Sequence, residues 1–223
     1  MAIMLKLQAI HMNMLCLLQL FQYNPLMKIY LASQSPRRRE LLEQMEVPFE
    51  VLSIDIPEIV APDEAPEAYS RRITQEKLEA AWDKIIRDHL QPMPILCADT
   101  EVIADGVILG KPQDENDAFR MIKSYAGETH EVVTSFGLRF HEYQKIEMHK
   151  TFVTFAQMTD EEIQHYLSSG NYKDKSGSYG IQSYIGQFIS RIEGCFYSVM
   201  GLPLSPVREI LRDLEAYLLN HKV

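Results

Sequence analysis

Apolar residues recur along this chain at two spacings, one typical of β-strands and the other of α-helices. Short apolar or alternating runs predict strands at residues 29–32, 49–54, 94–98, 129–140, 145–156, 188–192 and 196–200. Apolar stripes at helical spacing predict helices at residues 36–45, 66–89, 114–125, 159–170 and from 205 onward. Thr159 and Glu162 form a capping box, which marks the start of the fourth helix. Strands alternating with helices in this way predict an α/β fold.

The first predicted strand runs directly into the first helix. Ser35 is a good N-cap residue, and Pro36 suits the first helical position. Three arginines at residues 37–39 follow in the first turn, where the positive end of the helix dipole disfavours cations. Arginines, serine hydroxyls and free N–H groups together form a candidate phosphate site. An ordinary helix with solvated arginines explains the same pattern.

Lys77 lies on the apolar stripe of the second predicted helix, four residues after Ile73 and three before Ala80. A lysine on a buried face needs an anionic partner, or else its chain snorkels along the edge of the core. The spacing leaves both interpretations open. Glu58 lies before this helix, in a turn that follows the second predicted strand.

A carboxylate and a lysine are brought together around the third predicted strand. The apolar run at residues 94–98 ends in Asp99 and Thr100, and ligands of open α/β sheets gather at the carboxyl ends of strands. Asp105-Gly106 predicts a two-residue hairpin turn. Counting outward from this turn places Thr100 opposite Lys111. A hairpin with a polar base is the alternative to a site here.

The composition allows a sizeable hydrophobic core, and the net charge argues against nucleic acid as the partner. The chain has 223 residues, of which 46% are hydrophobic, enough for one domain or for one domain of two lobes. The formal net charge of −9 argues against a general DNA- or RNA-binding protein, which would present a basic face. The arginines at residues 37–39 are a local exception, which a small polyanion explains better.

The chain has three cysteines, Cys16, Cys97 and Cys195. Their odd number and wide spacing indicate neither a disulfide framework nor a zinc site. We therefore expect the protein to be cytoplasmic.

The first 26 residues differ from the rest of the chain. Lys6 and the apolar run at residues 15–21 faintly resemble a secretion signal, but no small-x-small cleavage site follows before Pro25. The run is too short to span a bilayer. Because Met27 directly precedes the first strand, we expect residues 1–26 to be a non-native or disordered extension and residues 27–223 to form a single domain. A weak amphipathic membrane helix is the alternative.

Short motifs spread along the chain resemble those of one known family. They are ASQSPRR at residues 32–38, ELL at 40–42, ADT at 98–100, KP at 111–112, DK at 174–175, YGIQ at 179–182 and GLPL at 201–204. In this order they resemble the Maf family of nucleoside triphosphate pyrophosphatases, from about residue 28 to the last helix. Ser176 departs from the pattern, because alanine is usual there.

The resemblance implies an elongated mixed β-sheet flanked by helices, with two lobes around a central cleft, similar in shape to the inosine triphosphate pyrophosphatases. It also implies the reaction: a nucleoside triphosphate and water give the monophosphate and pyrophosphate, assisted by a divalent cation, Mg²⁺ or Mn²⁺. The expected partner is the nucleotide substrate, with no nucleic acid and no membrane. The resemblance is also compatible with a homodimer.

The resemblance implies roles for individual residues as well. Asp99 resembles the proton acceptor that activates water, and Glu58, Lys77 and Lys111 resemble the other catalytic residues. Glu58 and Asp99 are the expected ligands of the cation. The expected substrate-binding residues are Ser33, Ser35, Arg37, Arg38, Thr100 and Gln182.

Among these residues, Arg38, Thr100 and Gln182 stand at the positions that separate substrate subgroups. Their combination resembles the subgroup that acts on dTTP and UTP. Three alternatives remain at this point: a non-catalytic nucleotide-binding regulator of cell division, the same chemistry on 7-methyl-GTP or another modified nucleotide, and a phosphatase that releases orthophosphate.

Overall fold

The computed structural model describes residues 27–221, so the predicted extension at residues 1–26 lies outside the described residues. Strands in the described part are β1 (Ile29–Leu31), β2 (Phe49–Val51), β3 (Ile95–Ala104), β4 (Val107–Leu109), β5 (Thr129–Phe140), β6 (Tyr143–Phe155) and β7 (Ile189–Glu193). Its α-helices are α1 (Pro36–Gln44), α2 (Pro66–Arg87), α3 (Glu115–Tyr125), α4 (Asp160–Ser168), α5 (Phe196–Met200) and α6 (Leu204–His221).

The strands form one mixed seven-stranded sheet in the order β2-β1-β3-β5-β6-β7, with β4 paired to β3. The β1–β2 and β1–β3 pairs are parallel, and the other pairs are antiparallel. Helices flank this sheet, which confirms the predicted fold class. Within residues 27–221, no helix is long and apolar enough to cross a membrane.

Alternate side chains of β1 enter cores on opposite faces of the sheet. Ile29 and Leu31 pack in a core with residues of α1 and α6, whereas Tyr30 packs in a core with residues of α2. The same alternation continues in β3, where Leu96 and Cys97 belong to different cores. Burial on both faces explains why these strands are continuous apolar runs rather than alternating ones.

A third core lies where α3 and α4 pack against β5 and β6, around Ile122, Tyr166 and Phe155. Val102 and Tyr179 of this core and Ala32 of the α2 core line one shared cleft. The cleft therefore lies between the core around α3 and α4 and the core around α2.

The predicted strand at residues 196–200 is wrong, because this segment is helix α5. Aromatic and β-branched side chains favoured a strand, but such propensities depend strongly on context. Gly201, with a φ of 118°, ends the helix, and its N–H donates to the carbonyl of Tyr197. The carbonyl of Ser198 accepts a 2.8 Å hydrogen bond from Thr134 on β5, which fixes α5 against the sheet.

The predicted end of the third strand is also wrong, because β3 continues through Asp99 to Ala104 along its partner β5. The parallel neighbour β1 stops earlier, with Leu31 opposite Leu96. Asp99 therefore lies in the middle of β3 but just beyond the carboxyl end of β1. The predicted hairpin turn is confirmed, although strand pairing ends at Val102 and Leu109, before Thr100 and Lys111.

Candidate active site

A cleft of about 700 Å³ opens at the carboxyl ends of β1 and β2. Its walls come from the start of α1, the middle of β3, the residues after β4 and the loop at residues 174–182. All the site residues proposed from the sequence line it: Ser33, Ser35, Arg37, Arg38, Glu58, Lys77, Asp99, Thr100, Lys111 and Gln182. The fold thus brings together residues that are far apart in the sequence.

The start of α1 offers hydrogen-bonding groups to the cleft. Ser35 occupies the N-cap position, but its side chain makes no capping hydrogen bond. Its backbone N–H donates instead to Oγ of Ser33, at 3.2 Å. Of the three neighbouring arginines, Arg37 and Arg38 line the cleft, whereas Arg39 is exposed and does not. The predicted cluster therefore supplies two guanidinium groups.

Arg38 connects three parts of the site. Its Nε donates to the carbonyl oxygen of Gly201 at 2.8 Å, its Nη1 to Oγ of Ser33 at 3.2 Å, and its Nη2 to Oγ1 of Thr100 at 3.1 Å. Burial lowers the pKa of Arg38 from its ordinary value, and the negative charge of Asp99 opposes this shift. Because these bonds fix the guanidinium plane, Arg38 presents its charge in one orientation.

Lys77 meets two carboxylates. Its Nζ lies 2.8 Å from Oδ1 of Asp99 and 2.7 Å from Oε1 of Glu58. Burial alone would lower the pKa of Lys77, but the two carboxylates outweigh it and the pKa is raised. Conversely, burial would raise the pKa of Glu58, but the charges of Lys77 and Lys111 hold it low. The lysine on the apolar stripe thus has anionic partners and does not snorkel.

Asp99 is buried, and Lys77 occupies only one of its carboxylate oxygens. The other oxygen, Oδ2, is also buried and has no hydrogen-bond partner within residues 27–221. Such an unpartnered acceptor costs about 1–3 kcal/mol, more when charged, unless a ligand satisfies it. Oδ2 is therefore the Asp99 oxygen that Lys77 does not bind, and the neighbouring Glu101 carboxyl lies within hydrogen-bonding reach of Asp99.

Glu101 is a buried carboxylate of the cleft that the sequence analysis missed. Its Oε2 accepts a hydrogen bond from Oγ of Ser176 at 3.1 Å. Burial and the nearby charge of Asp99 raise the pKa of Glu101 well above its ordinary value. The signal that could have identified Glu101 is its position two residues after Asp99, because residues two apart on a strand lie on the same face of the sheet.

The loop at residues 171–183 forms the wall that carries Gln182. Asp174 of this loop pairs with Arg37 across the cleft, with 3.0 Å between Oδ2 and Nη1. Gly177, with a φ of 67°, approaches β3 so closely that a Cβ there would come within 2.7 Å of Val102. Gln182 itself is exposed at the rim.

Buried aromatic side chains form hydrogen bonds with the same loop. The Tyr125 hydroxyl donates to the Gly177 carbonyl, and the Tyr166 hydroxyl donates to the carbonyl of Ser178 at 3.2 Å. The Tyr179 hydroxyl lies 2.7 Å from Nε2 of His130. No sequence motif indicated this support, because its members come from α3, α4 and β5.

A family model described as Maf-like protein matches residues 28–214. The chain belongs to the Maf family. The family resemblance inferred from the motifs is thereby confirmed. The cleft of this Maf-family chain is lined by the motif residues at 32–38, 99–100 and 174–175.

Curated relatives cover most of the chain. The dTTP/UTP pyrophosphatase of Chromobacterium violaceum is 42% identical over 186 residues, which are 83% of this chain and 94% of the relative. The dTTP/UTP pyrophosphatase of Chlorobium phaeovibrioides is 45% identical over 189 residues, which are 84% of this chain and 97% of the relative. Among solved structures, the Staphylococcus aureus Ham1 protein has a TM-score of 0.38 at 9% identity, covering 58% of this chain and 72% of that one, too weak a likeness to support an argument.

Proposed function

We propose that this protein hydrolyses dTTP and UTP to the monophosphate and pyrophosphate, a house-cleaning activity on nucleotide pools. The observation that carries the proposal is the placement of Asp99 and Lys77 opposite the serines and arginines of residues 33–38, in one cleft with Gln182. The names of the relatives support the same substrates.

Positive charge and hydrogen-bond donors at the start of α1 would bind the triphosphate. Arg37 and Arg38 supply cations, and Ser33 and Ser35 supply hydroxyls beside the helix N-terminus. Lys111 is exposed on the cleft wall, where it adds a further charge. Such an arrangement neutralises negative charge that develops as the phosphate bond breaks.

Asp99 is the proposed proton acceptor. Lys77 holds its Oδ1, so that Oδ2 is the oxygen free to take a proton from water. The water oxygen attacks the α-phosphorus, the bond to the bridging oxygen of the β-phosphate breaks, and pyrophosphate leaves. In this step Lys77 would keep the Asp99 carboxylate in place, and Glu58 would hold Lys77 from its other side.

A divalent cation, Mg²⁺ or Mn²⁺, is the proposed cofactor, with Asp99 and Glu58 as its ligands. The carboxylate oxygens of Asp99 and Glu58, which both line the cleft, form an all-oxygen donor set that fits such a hard cation. Within residues 27–221, no group of three or more His, Cys, Asp or Glu side chains is arranged to hold a metal. Substrate phosphates would therefore complete its coordination, as is usual for Mg²⁺. When bound, the cation neutralises charge on the phosphates.

Gln182 is the residue that we propose recognises the base. Uracil and thymine present an acceptor, an N–H donor and a second acceptor along one edge, and a glutamine amide offers both a donor and an acceptor. A site built on such bonds rejects a mismatched base, because its own polar groups would then be unpaired.

A product-resolved assay of the full chain tests the proposal. The substrates are dTTP, UTP, CTP, 7-methyl-GTP and the common purine triphosphates, each with Mg²⁺, with Mn²⁺ and with EDTA. We expect pyrophosphate, mainly from dTTP and UTP, and none with EDTA. Orthophosphate as the first product would indicate a phosphatase, and preferred turnover of 7-methyl-GTP would reassign the substrate. Nucleotide binding without any turnover would favour the non-catalytic regulator.

Compartment and assembly complete the proposal. We propose that the enzyme acts in the cytoplasm, as its cysteine usage indicates. A homodimer stays a prediction, which the mass of the protein in solution measures directly.

A further inference from the structure

Glu58 lies in a segment that has little structure of its own. Between the end of β2 at Val51 and the start of α2 at Pro66, the chain forms neither strand nor helix. The Glu58 side chain is 45% exposed. A backbone without ladder hydrogen bonds needs other contacts to keep a functional side chain in position.

Arg72 of α2 supplies such contacts to the residues that follow Glu58. Its Nη2 donates to the carbonyl of Ile59, the next residue, at 3.0 Å. Its Nε and Nη2 also bind both carboxylate oxygens of Glu64, at 2.7 and 2.6 Å. Oε2 of Glu64 accepts a 2.9 Å hydrogen bond from the N–H of Ala61. One guanidinium therefore closes the turn from Ile59 to Glu64.

The guanidinium is itself held on the helix. Its Nη1 donates to Oε1 of Glu76, one turn further along α2, at 2.9 Å, and its carbon lies 5.5 Å from the centre of the Tyr69 ring. Lysine has no planar fork and could not make these bonds simultaneously.

Arg72 and Lys77 together attach residues 55–64, which include Glu58, to the rest of the protein. Among the hydrogen bonds and ion pairs formed within residues 27–221, those that join residues 55–64 to another element all come from these two side chains. Lys77 holds the Glu58 carboxylate, and Arg72 holds the backbone one residue later.

We infer that Arg72 is a positioning residue, which places the Glu58 carboxylate against Lys77 and Asp99. The inference rests on the proposed function for its kinetic consequence. Arg72 is absent from the cleft lining, so its loss should act on the reaction through Glu58 and leave the phosphate-binding residues unchanged. A displaced catalytic group lowers the rate of the chemical step more than it weakens substrate binding.

A double-mutant cycle tests this inference. Arg72→Ala and the neighbouring control Arg71→Ala are each made alone and together with Glu58→Gln, and kcat and KM for dTTP are measured well below the melting temperature of each variant. Arg71 is exposed and makes only a 3.4 Å bond to the carbonyl of Ile146. We expect Arg72→Ala to lower kcat about tenfold with KM within about twofold, and Arg71→Ala to change neither.

In the Glu58→Gln background, Arg72→Ala should cause no further loss of kcat, because its effect passes through Glu58. The same loss in both backgrounds would overturn the inference and leave a general structural role. If Arg72→Ala does not fold, Glu64→Gln replaces it in the cycle, with a smaller effect in the same direction expected.

Backbone hydrogen exchange separates this inference from the proposed function. Exchange of residues 55–64 should be faster in Arg72→Ala than in Arg71→Ala, whatever the substrate. Unchanged exchange would overturn the positioning role even in an active enzyme. Absence of turnover by the unmodified protein would overturn the proposed function, and the exchange result would still decide the role of Arg72.

Discussion

The Nζ atom of Lys77 lies 2.8 Å from Oδ1 of Asp99, and this contact joins α2 to the middle of β3. Both side chains are largely buried, with 12% and 6% of their surface exposed. The contact leaves Oδ2 as the Asp99 oxygen that Lys77 does not bind. The lysine therefore orients the carboxylate as well as neutralising it.

Asp99→Asn should lower kcat by about 10³-fold, because the amide cannot accept the proton of the attacking water. The neighbouring structure should persist, since the amide oxygen can still accept the hydrogen bond from Lys77. Calorimetric titration with dTTP should show binding close to that of the unmodified protein. Asp83→Asn, at an exposed position of α2, is the matched control and should be fully active. A near-normal rate for Asp99→Asn would remove Asp99 from the mechanism.

Lys77→Ala should reduce both activity and stability, with the larger effect on activity. Removing one partner of a buried ion pair costs about 3 kcal/mol, because the carboxylates lose their counter-charge. We expect kcat to fall about 10²-fold at a temperature where the variant is still folded, as circular dichroism would verify. Lys84→Ala breaks an ion pair between α2 and Asp88, the residue that follows this helix, and should change stability by less than about 0.5 kcal/mol. Full activity in folded Lys77→Ala would contradict the proposed role.

Gln182→Ala should reduce discrimination between bases rather than the chemical step itself. We expect kcat/KM for dTTP and UTP to fall about tenfold relative to CTP, which corresponds to the loss of one or two hydrogen bonds to the base. The control is Gln187→Ala, which removes an exposed amide outside the cleft. If the ratio of dTTP to CTP turnover is unchanged in Gln182→Ala, another group reads the base.

His130 should make the protein less stable in mild acid. Burial lowers the pKa of His130 to about 4, from an ordinary value near 6.5. Between these values the unfolded chain binds the extra proton, so the free energy of unfolding falls as the pH is lowered from about 6.5 to 4. The shift corresponds to about 3 kcal/mol.

Denaturant unfolding of His130→Asn from pH 7 to pH 4 checks this expectation. The unmodified protein should lose stability relative to the variant across this range. The reason is that the unmodified protein buries a neutral imidazole at position 130, whereas the variant has no titratable group there. His165→Asn, at an exposed position, should follow the unmodified protein. Parallel curves for His130→Asn and the unmodified protein would show that His130 does not titrate in this way.

Local sequence signals predicted the elements that carry the site. Ser35 and Pro36 start α1, Thr159 and Glu162 form the predicted capping box, and the hairpin turn of Asp105 lies where expected. In each case the signal lies within a few residues, since caps and turns depend on neighbouring backbone groups. The apolar spacing also placed Lys77 on the inner face of α2.

Contacts between residues far apart in the sequence decided the features that the sequence did not predict. Helix α5 forms in place of a predicted strand because Gly201 and Thr134 fix it, and Thr134 is far away in the sequence. The same holds for the partners of Lys77: spacing showed that the lysine faces inward, but only the packing of α2 on β3 placed it against Asp99.

The sequence by itself determined the family and the α/β fold, and it predicted a set of site residues that all line one cleft. Only the tertiary structure decided how these residues are held, through Arg38 bridging to Gly201, Arg72 closing the turn after Glu58, and Glu101 entering the cleft beside Asp99. The physical reason is that side-chain hydrogen bonds and burial join elements whose separation in the sequence carries no periodic signal.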